Sequence, residues 1–221
     1  MATSSGKEPP AAFAPAGVRP SKIVCVGKNY AKHAAEMGGE VPAEPLLFLK
    51  APSALLAPGE AIVRPPDSRR VDFEGEIAVR VGRRAKDVPR EEAWDVLDAV
   101  LPLNDVTARD LQRSDNQWSR AKGFDTFCPV GDPVHLDQVD RASLGVVTRV
   151  NGEVRQEASA DEMTFDIPFL VAYISRIFTL EPGDLIATGT PDGIGPLEAG
   201  DVVEVEVLGV GSVSNPVRDA S

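Results

Sequence analysis

The chain has 221 residues, 43% of them hydrophobic, with 23 Lys and Arg against 34 Asp and Glu and a formal charge of -11. That length supports one substantial core, and the acidity argues against nucleic acid or an anionic membrane as the main partner. No apolar run approaches the ~18 residues of a membrane helix, and the N-terminus lacks the charged-then-apolar layout of a signal peptide. The two cysteines, Cys25 and Cys128, sit in apolar surroundings without metal-ligand spacing, so reduced thiols in a cytoplasmic protein are expected.

Residues 1–19, rich in Ala, Pro and Ser, predict a flexible tail, and residues 20–221 a single domain. SKIVCVG reads as an apolar strand stopped by Gly27, and NYAKHAAEMGG as a short helix carrying His33 and Glu36 three apart. LLFLKAPSAL predicts a strand, followed by a Pro/Gly loop and a strand over 71–81. VPREEAWDVL opens a short helix with Asp87 as its expected cap, and DAVLPLNDVTARDLQ passes from a strand into a helical turn. Asn151-Gly152 predicts a hairpin with a primed turn. FDIPFLVAYISRIFTLEPGD reads as an amphipathic helix started by Pro168, and LIATGT and DVVEVEVLG as the two closing strands. Strands outnumber helices and several join through short turns, which predicts a β-rich α+β fold with a few short helices.

VDFEGEIAV poses the functional question. In a strand, Glu74 and Glu76 share a face with Cα atoms roughly 6.7 Å apart at about 3.3 Å per residue, close enough for both carboxylates to converge on one water or cation. A half-solvated strand shows the same alternation, and DVVEVEVL, with Glu204 and Glu206, has it with nothing else to suggest chemistry. Asp105 separates the cases, because a carboxylate closing the apolar run AVLPLND costs several kcal/mol to bury unpaired. Three gathered carboxylates repel by roughly 4 kcal/mol per pair at 4 Å and an effective dielectric near 20, so a divalent ion is their natural occupant. Oxygen-only ligands select Mg²⁺ or Mn²⁺, and His33 and His135 alone offer little for zinc.

VGKNYAKHAAEM, FLKAPSAL, VDFEGEIAV, NDVTARDLQ, AKGFDTFCPVG, VNGEVRQ and LIATGTPDGIGPLEAGDVVEVEV, in this order and spacing, resemble the fumarylacetoacetate hydrolase family, nearest its acylpyruvate hydrolase and oxaloacetate decarboxylase branch. The resemblance covers about residues 20–215. It implies a mixed β-roll of the family's C-terminal-domain type, usually a homodimer, with Mg²⁺ or Mn²⁺ held by Glu74, Glu76 and Asp105. It also implies that His33 and Glu36 act as a dyad, that Lys122 meets the substrate, and that Gln112 and Thr190 line the pocket, while His135 stays structural.

Such a site suits a small anionic 2-oxo acid, whose keto and carboxylate oxygens chelate one metal ion. The leading expectation is a metal-dependent hydrolase that cleaves acylpyruvates, with His33 activating water and pyruvate leaving as the enolate that the metal stabilises. The same enolate serves an oxaloacetate decarboxylase or tautomerase, or a hydroxymuconate-type isomerase and decarboxylase. A non-catalytic binding module is a further alternative, against which the retained acids, His33, Glu36 and Lys122 argue.

Overall fold

The computed structural model describes residues 20–220; the tail expected over 1–19 lies outside them. The largest sheet orders six strands as Val134–His135, Leu97–Asn104, Gly75–Val81, Leu185–Ala187, Ile23–Gly27 and Leu46–Lys50. A second orders five as Glu153–Ser159, Gly145–Val150, Val202–Val207, Gly211–Asp219 and Ile62–Arg64. Three- and two-stranded sheets complete a β-rich roll with short helices, as the sequence predicts.

Alternation along the Ile23–Gly27 strand explains its unbroken apolar run. Val24 and Val26 enter a core shared with Leu170, Val171 and Ile174 of the Ile167–Ile177 helix, whereas Ile23 and Cys25 enter a second core with Ala78, Leu185 and Cys128. Both faces are covered, so neither needs polar residues. Burial pushes the Cys25 thiol far up and the Cys128 thiol to about 12, which leaves both protonated and unreactive at neutral pH. No helix of the described residues is long and apolar enough to cross a membrane.

Several local expectations hold for the stated reasons. Asn151 and Gly152 both have positive φ, 54° and 83°, as a primed hairpin turn requires. The helix over 167–177 has Pro in its first turn, and the Asp166 carboxylate caps it by accepting from the Phe169 N–H at 2.8 Å. Others need correction. Asp87 is no cap: it sits at φ 53°, and Arg90–Val96 is a 3₁₀ stretch with no side-chain cap. DVVEVEVLG is not the closing strand: Gly211–Asp219 follows as a further one, with Val213, Asn215 and Val217 turned inward.

The expected strand over 71–81 is two strands. Val71–Phe73 pairs with Thr107–Ala108, Gly75–Val81 pairs with Leu97–Asn104, and the chain changes sheet at Glu74. The partner changes sheet at the same level, so the Asp105 N–H donates to the Glu74 carbonyl at 2.8 Å. The crossover places two acids side by side.

Asp184 ties Ser21 and Lys22 to the central sheet. One carboxylate oxygen accepts from the Ser21 N–H and hydroxyl at 2.8 and 2.7 Å, and the other from the Glu181 N–H at 2.8 Å and from the Lys22 ammonium. Burial pushes this carboxyl up, but the Lys22, Glu181 and Ser21 hydrogen bonds win and hold it below the usual value. A depressed carboxylate stabilises the fold above its unfolded pKa and loses that contribution as pH falls through the folded one. Asp184→Asn is therefore expected to cost about 2 kcal/mol at neutral pH, with the cost shrinking as pH falls below the usual carboxylate range and through the lowered folded pKa, read by urea unfolding as a function of pH.

Candidate active site

Every residue from Val71 to Val79 is buried, acids included, which rules out a half-solvated strand. The contrast with DVVEVEVL is direct. Glu204 and Glu206 are only partly buried, and both accept from the Arg149 guanidinium, at 3.2 and 2.7 Å. The same spacing thus makes sheet surface in one strand and a buried acid pair in the other.

Glu74, Glu76 and Asp105 converge, with one oxygen from each lying within 4.8 Å of the others. They border a cavity of about 150 Å³, whose wall also contains His33, Lys122, Gln112 and Thr190. Glu36 stands behind the wall, its carboxylate 3.2 Å from His33 Nδ1 and accepting the Gly193 N–H at 3.2 Å. Distant segments thus bring all eight sequence-predicted residues to one place. His135 lies elsewhere, exposed and paired with Asp137.

Local structure explains this convergence. Asn29, buried before the Ala31–Glu36 helix, donates to the Thr188 and Phe165 carbonyls at 2.8 and 3.0 Å and accepts the Phe165 N–H at 2.9 Å. That clamp fixes the His33 helix against the turn at Gly189. Gly189, at φ 101°, donates its N–H to Glu76 Oε2 at 2.8 Å, and a Cβ there would sit 2.8 Å from the Asn29 side chain. Gln156 holds the other side. It accepts the Gly75 N–H at 2.9 Å and donates to the Thr190 hydroxyl at 2.8 Å, and that hydroxyl in turn donates to the Gly75 carbonyl at 2.9 Å.

The charges are arranged unevenly. Lys122 Nζ donates to Glu74 at 2.8 Å and to Asp105 at 2.5 Å, and Lys50 Nζ donates to the second Asp105 oxygen at 2.6 Å. Arg109 bridges Asp72 at 2.9 Å, Glu74 at 2.5 Å and the Gln112 side-chain amide oxygen at 2.6 Å. Burial raises the Glu74 carboxyl, but Lys122 and Arg109 outweigh it and hold the group far below the usual range. Among the described residues Glu76 accepts only from the Gly189 N–H, so burial, with Asp105 and Glu74 nearby, pushes its carboxyl well up. A buried carboxyl without a cation, beside two others, fits a hard divalent ion that all three could hold. Lys122 lines the cavity, but its ammonium is already committed to two acids.

Sequence reasoning missed Lys50, Arg109, Asp72 and Gln156. Asp72 shares parity with Glu74 and Glu76, so one signal was present: three acids on one buried face demand buried cations. Gly75 gives a sharper check. A Cβ there would meet Thr148 Oγ1 at 1.9 Å, so Gly75→Ala must push apart the strand between Glu74 and Glu76. Gly75→Ala is expected to cost about 2 kcal/mol or more in denaturant unfolding and to weaken Mn²⁺ binding in calorimetry.

Residues 22–218 match the fumarylacetoacetate (FAA) hydrolase C-terminal model. An oxaloacetate tautomerase of Bacillus subtilis is 40% identical, over 90% of this chain and 70% of its own. The structure of a 5-carboxymethyl-2-hydroxymuconate delta-isomerase from Mycobacterium smegmatis superposes with a TM-score of 0.85 at 46% identity, covering 92% of this chain and 81% of its own. A fumarylpyruvate hydrolase from Pseudomonas aeruginosa, solved with Mn²⁺ and pyruvate, gives 0.86 at 30% identity, covering 94% and 99%. The chain belongs to the fumarylacetoacetate hydrolase family.

Proposed function

We propose that this protein is an Mg²⁺- or Mn²⁺-dependent enzyme that interconverts keto and enol forms of a small 2-oxo acid, with oxaloacetate tautomerisation as its reaction. The observation that carries this reading is one small cavity bordered by three buried carboxylates and an oriented histidine. The names of similar proteins favour tautomerisation and isomerisation over hydrolysis. A bound divalent ion would hold the keto and carboxylate oxygens of the substrate and stabilise negative charge on the keto oxygen.

The protein's own residues move the proton. With the Glu36 carboxylate as acceptor, His33 Nδ1 carries the hydrogen of that pair, which leaves the lone pair on Nε2. His33 Nε2 takes the proton from the carbon beside the keto group, and the C–H electrons pass into the carbon–carbon bond of the enolate. Glu36 stabilises the imidazolium for that interval. Return of the proton to oxygen gives the enol, and its return to carbon restores the ketone. The Gln112 side-chain amide, whose oxygen Arg109 holds, turns its N–H donors to the acid, and Thr190, bonded to Gln156 and Gly75, shapes the wall beside it.

The acylpyruvate hydrolysis expected from sequence is the second reading, favoured by the same dyad, since an oriented His–Glu pair also activates water. Measuring both reactions with Mn²⁺ separates them. Loss of enol absorbance from oxaloacetate far above the metal-only rate is the expected result. Pyruvate release from acetylpyruvate or fumarylpyruvate without that change would replace tautomerase by hydrolase, and inactivity on all three would overturn both. We also infer a homodimer from the family resemblance, to be checked by light scattering.

A further inference from the structure

The inner cations of the cavity are spoken for, and its outer ones are not. Lys50, Arg109 and Lys122 each bond buried carboxylates. Lys28 and Arg113 line the same cavity, yet neither makes a side-chain hydrogen bond or ion pair among the described residues. Acids near them in sequence are turned elsewhere: Asp110 accepts from Ser68 and Arg69, Asp115 from Arg120, Glu36 faces His33 and Gly193, and Glu40, beside Gly39, makes no ion pair with Lys28 among the described residues. Two unneutralised cations at one opening are unexpected on a chain of net charge -11.

Lys28 is also held in an unfavourable backbone shape. Its φ is 57°, a left-handed conformation that is unfavourable for a lysine and almost free for a glycine. The conformation fits the opening. Trp118 packs against Gly27, where a Cβ would lie 3.2 Å from the indole, and stands edge-on to Phe48 at 5.3 Å. The lysine thus follows the residue that the aromatic wall touches, and its ammonium reaches Gly39, where a Cβ would be 2.9 Å away. Strain kept at a cavity opening points to a role for the side chain there.

We propose that Lys28 and Arg113 bind a second anionic group at the far end of the ligand, so that this site selects 2-oxo diacids over 2-oxo monoacids. The assignment rests on the reading above, in which the acid cluster and its metal take the 2-oxo acid end. The near end is then read through metal chelation, and the far end by two charges that open solvent would otherwise screen. Discrimination comes from the carboxylate that a monoacid lacks.

Two stable probes test this, 2-oxoglutarate and 2-oxopentanoate, which differ only in a terminal carboxylate or methyl. Calorimetry on the Mn²⁺-supplemented protein is expected to show the diacid binding roughly tenfold or more tightly. Lys28→Gly and Arg113→Gln should each cut that preference severalfold and together erase it, while 2-oxopentanoate affinity moves by no more than about twofold. Lys28→Gly should unfold at or above the parent temperature, because glycine relieves the strained φ, so lost preference cannot be blamed on misfolding. Equal affinity of the parent for both acids, or a preference that survives the double substitution, would overturn the diacid assignment alone. Failure of both acids to bind would overturn the 2-oxo acid reading and this assignment with it.

Discussion

Glu76→Gln is expected to lower Mn²⁺ affinity by roughly 100-fold or more and reduce turnover to the metal-only background, with stability within about 1 kcal/mol of the parent or above it. Loss of function without loss of stability follows from the uneven charges. Glu76 is buried and makes no ion pair among the described residues, so an amide there leaves no buried cation short of a counter-charge while its carbonyl keeps the Gly189 bond. Asp105→Asn is the informative partner. It also removes a ligand, but it leaves the buried ammonium groups of Lys50 and Lys122 short of a counter-charge, at a cost of about 3–5 kcal/mol. Urea unfolding without metal and Mn²⁺ calorimetry on both variants check the pattern. Equal stability losses would show that Lys50 and Lys122 do not divide the acids as described.

Glu36→Gln should lower turnover by roughly 10²-fold or more while Mn²⁺ affinity stays near the parent value. The carboxylate accepts from His33 and from the Gly193 N–H, so it fixes both the ring and its tautomer. An amide that keeps the Gly193 bond through its oxygen presents an N–H to His33 Nδ1. The ring proton then moves to Nε2, and the base is lost. His33→Asn should match this loss, and the double variant should be little worse than either alone, because the two residues act as one unit. Additive losses in steady-state kinetics would mean that Glu36 works apart from His33.

Local pattern reached further into this site than into its charge balance. Glu74 and Glu76 were singled out by their spacing only once Asp105, at the end of an apolar run, joined them, and the dyad of His33 and Glu36 came from the family resemblance. The lysine and arginine that neutralise the acids were not legible, because Lys50 and Arg109 arrive from other segments and nothing beside them in sequence requires an acid. The sheet change at Glu74 was hidden for a related reason. Unbroken alternation from Val71 to Val81 describes one strand well, and only its pairing, with Thr107–Ala108 before the break and Leu97–Asn104 after it, divides it in two. Gly211–Asp219 was lost to its composition, since its inward residues are two valines and an asparagine, among glycine, serine and proline.

The residues that position the acids are as instructive as the acids themselves. Gln156 spans the gap between Gly75 and Thr190, and Asn29 joins the His33 helix to the Gly189 turn, so both walls of the cavity depend on buried amides. Each makes three or more bonds from one side chain, which fixes neighbouring backbones more tightly than apolar packing would.

Crystals grown with Mn²⁺ and oxalate test the central claim most directly. One strong anomalous peak in contact with Glu74, Glu76 and Asp105, with oxalate chelating it inside the cavity, is the predicted result. Density that places manganese elsewhere, or leaves Lys122 as the sole cation among the three carboxylates, would contradict it.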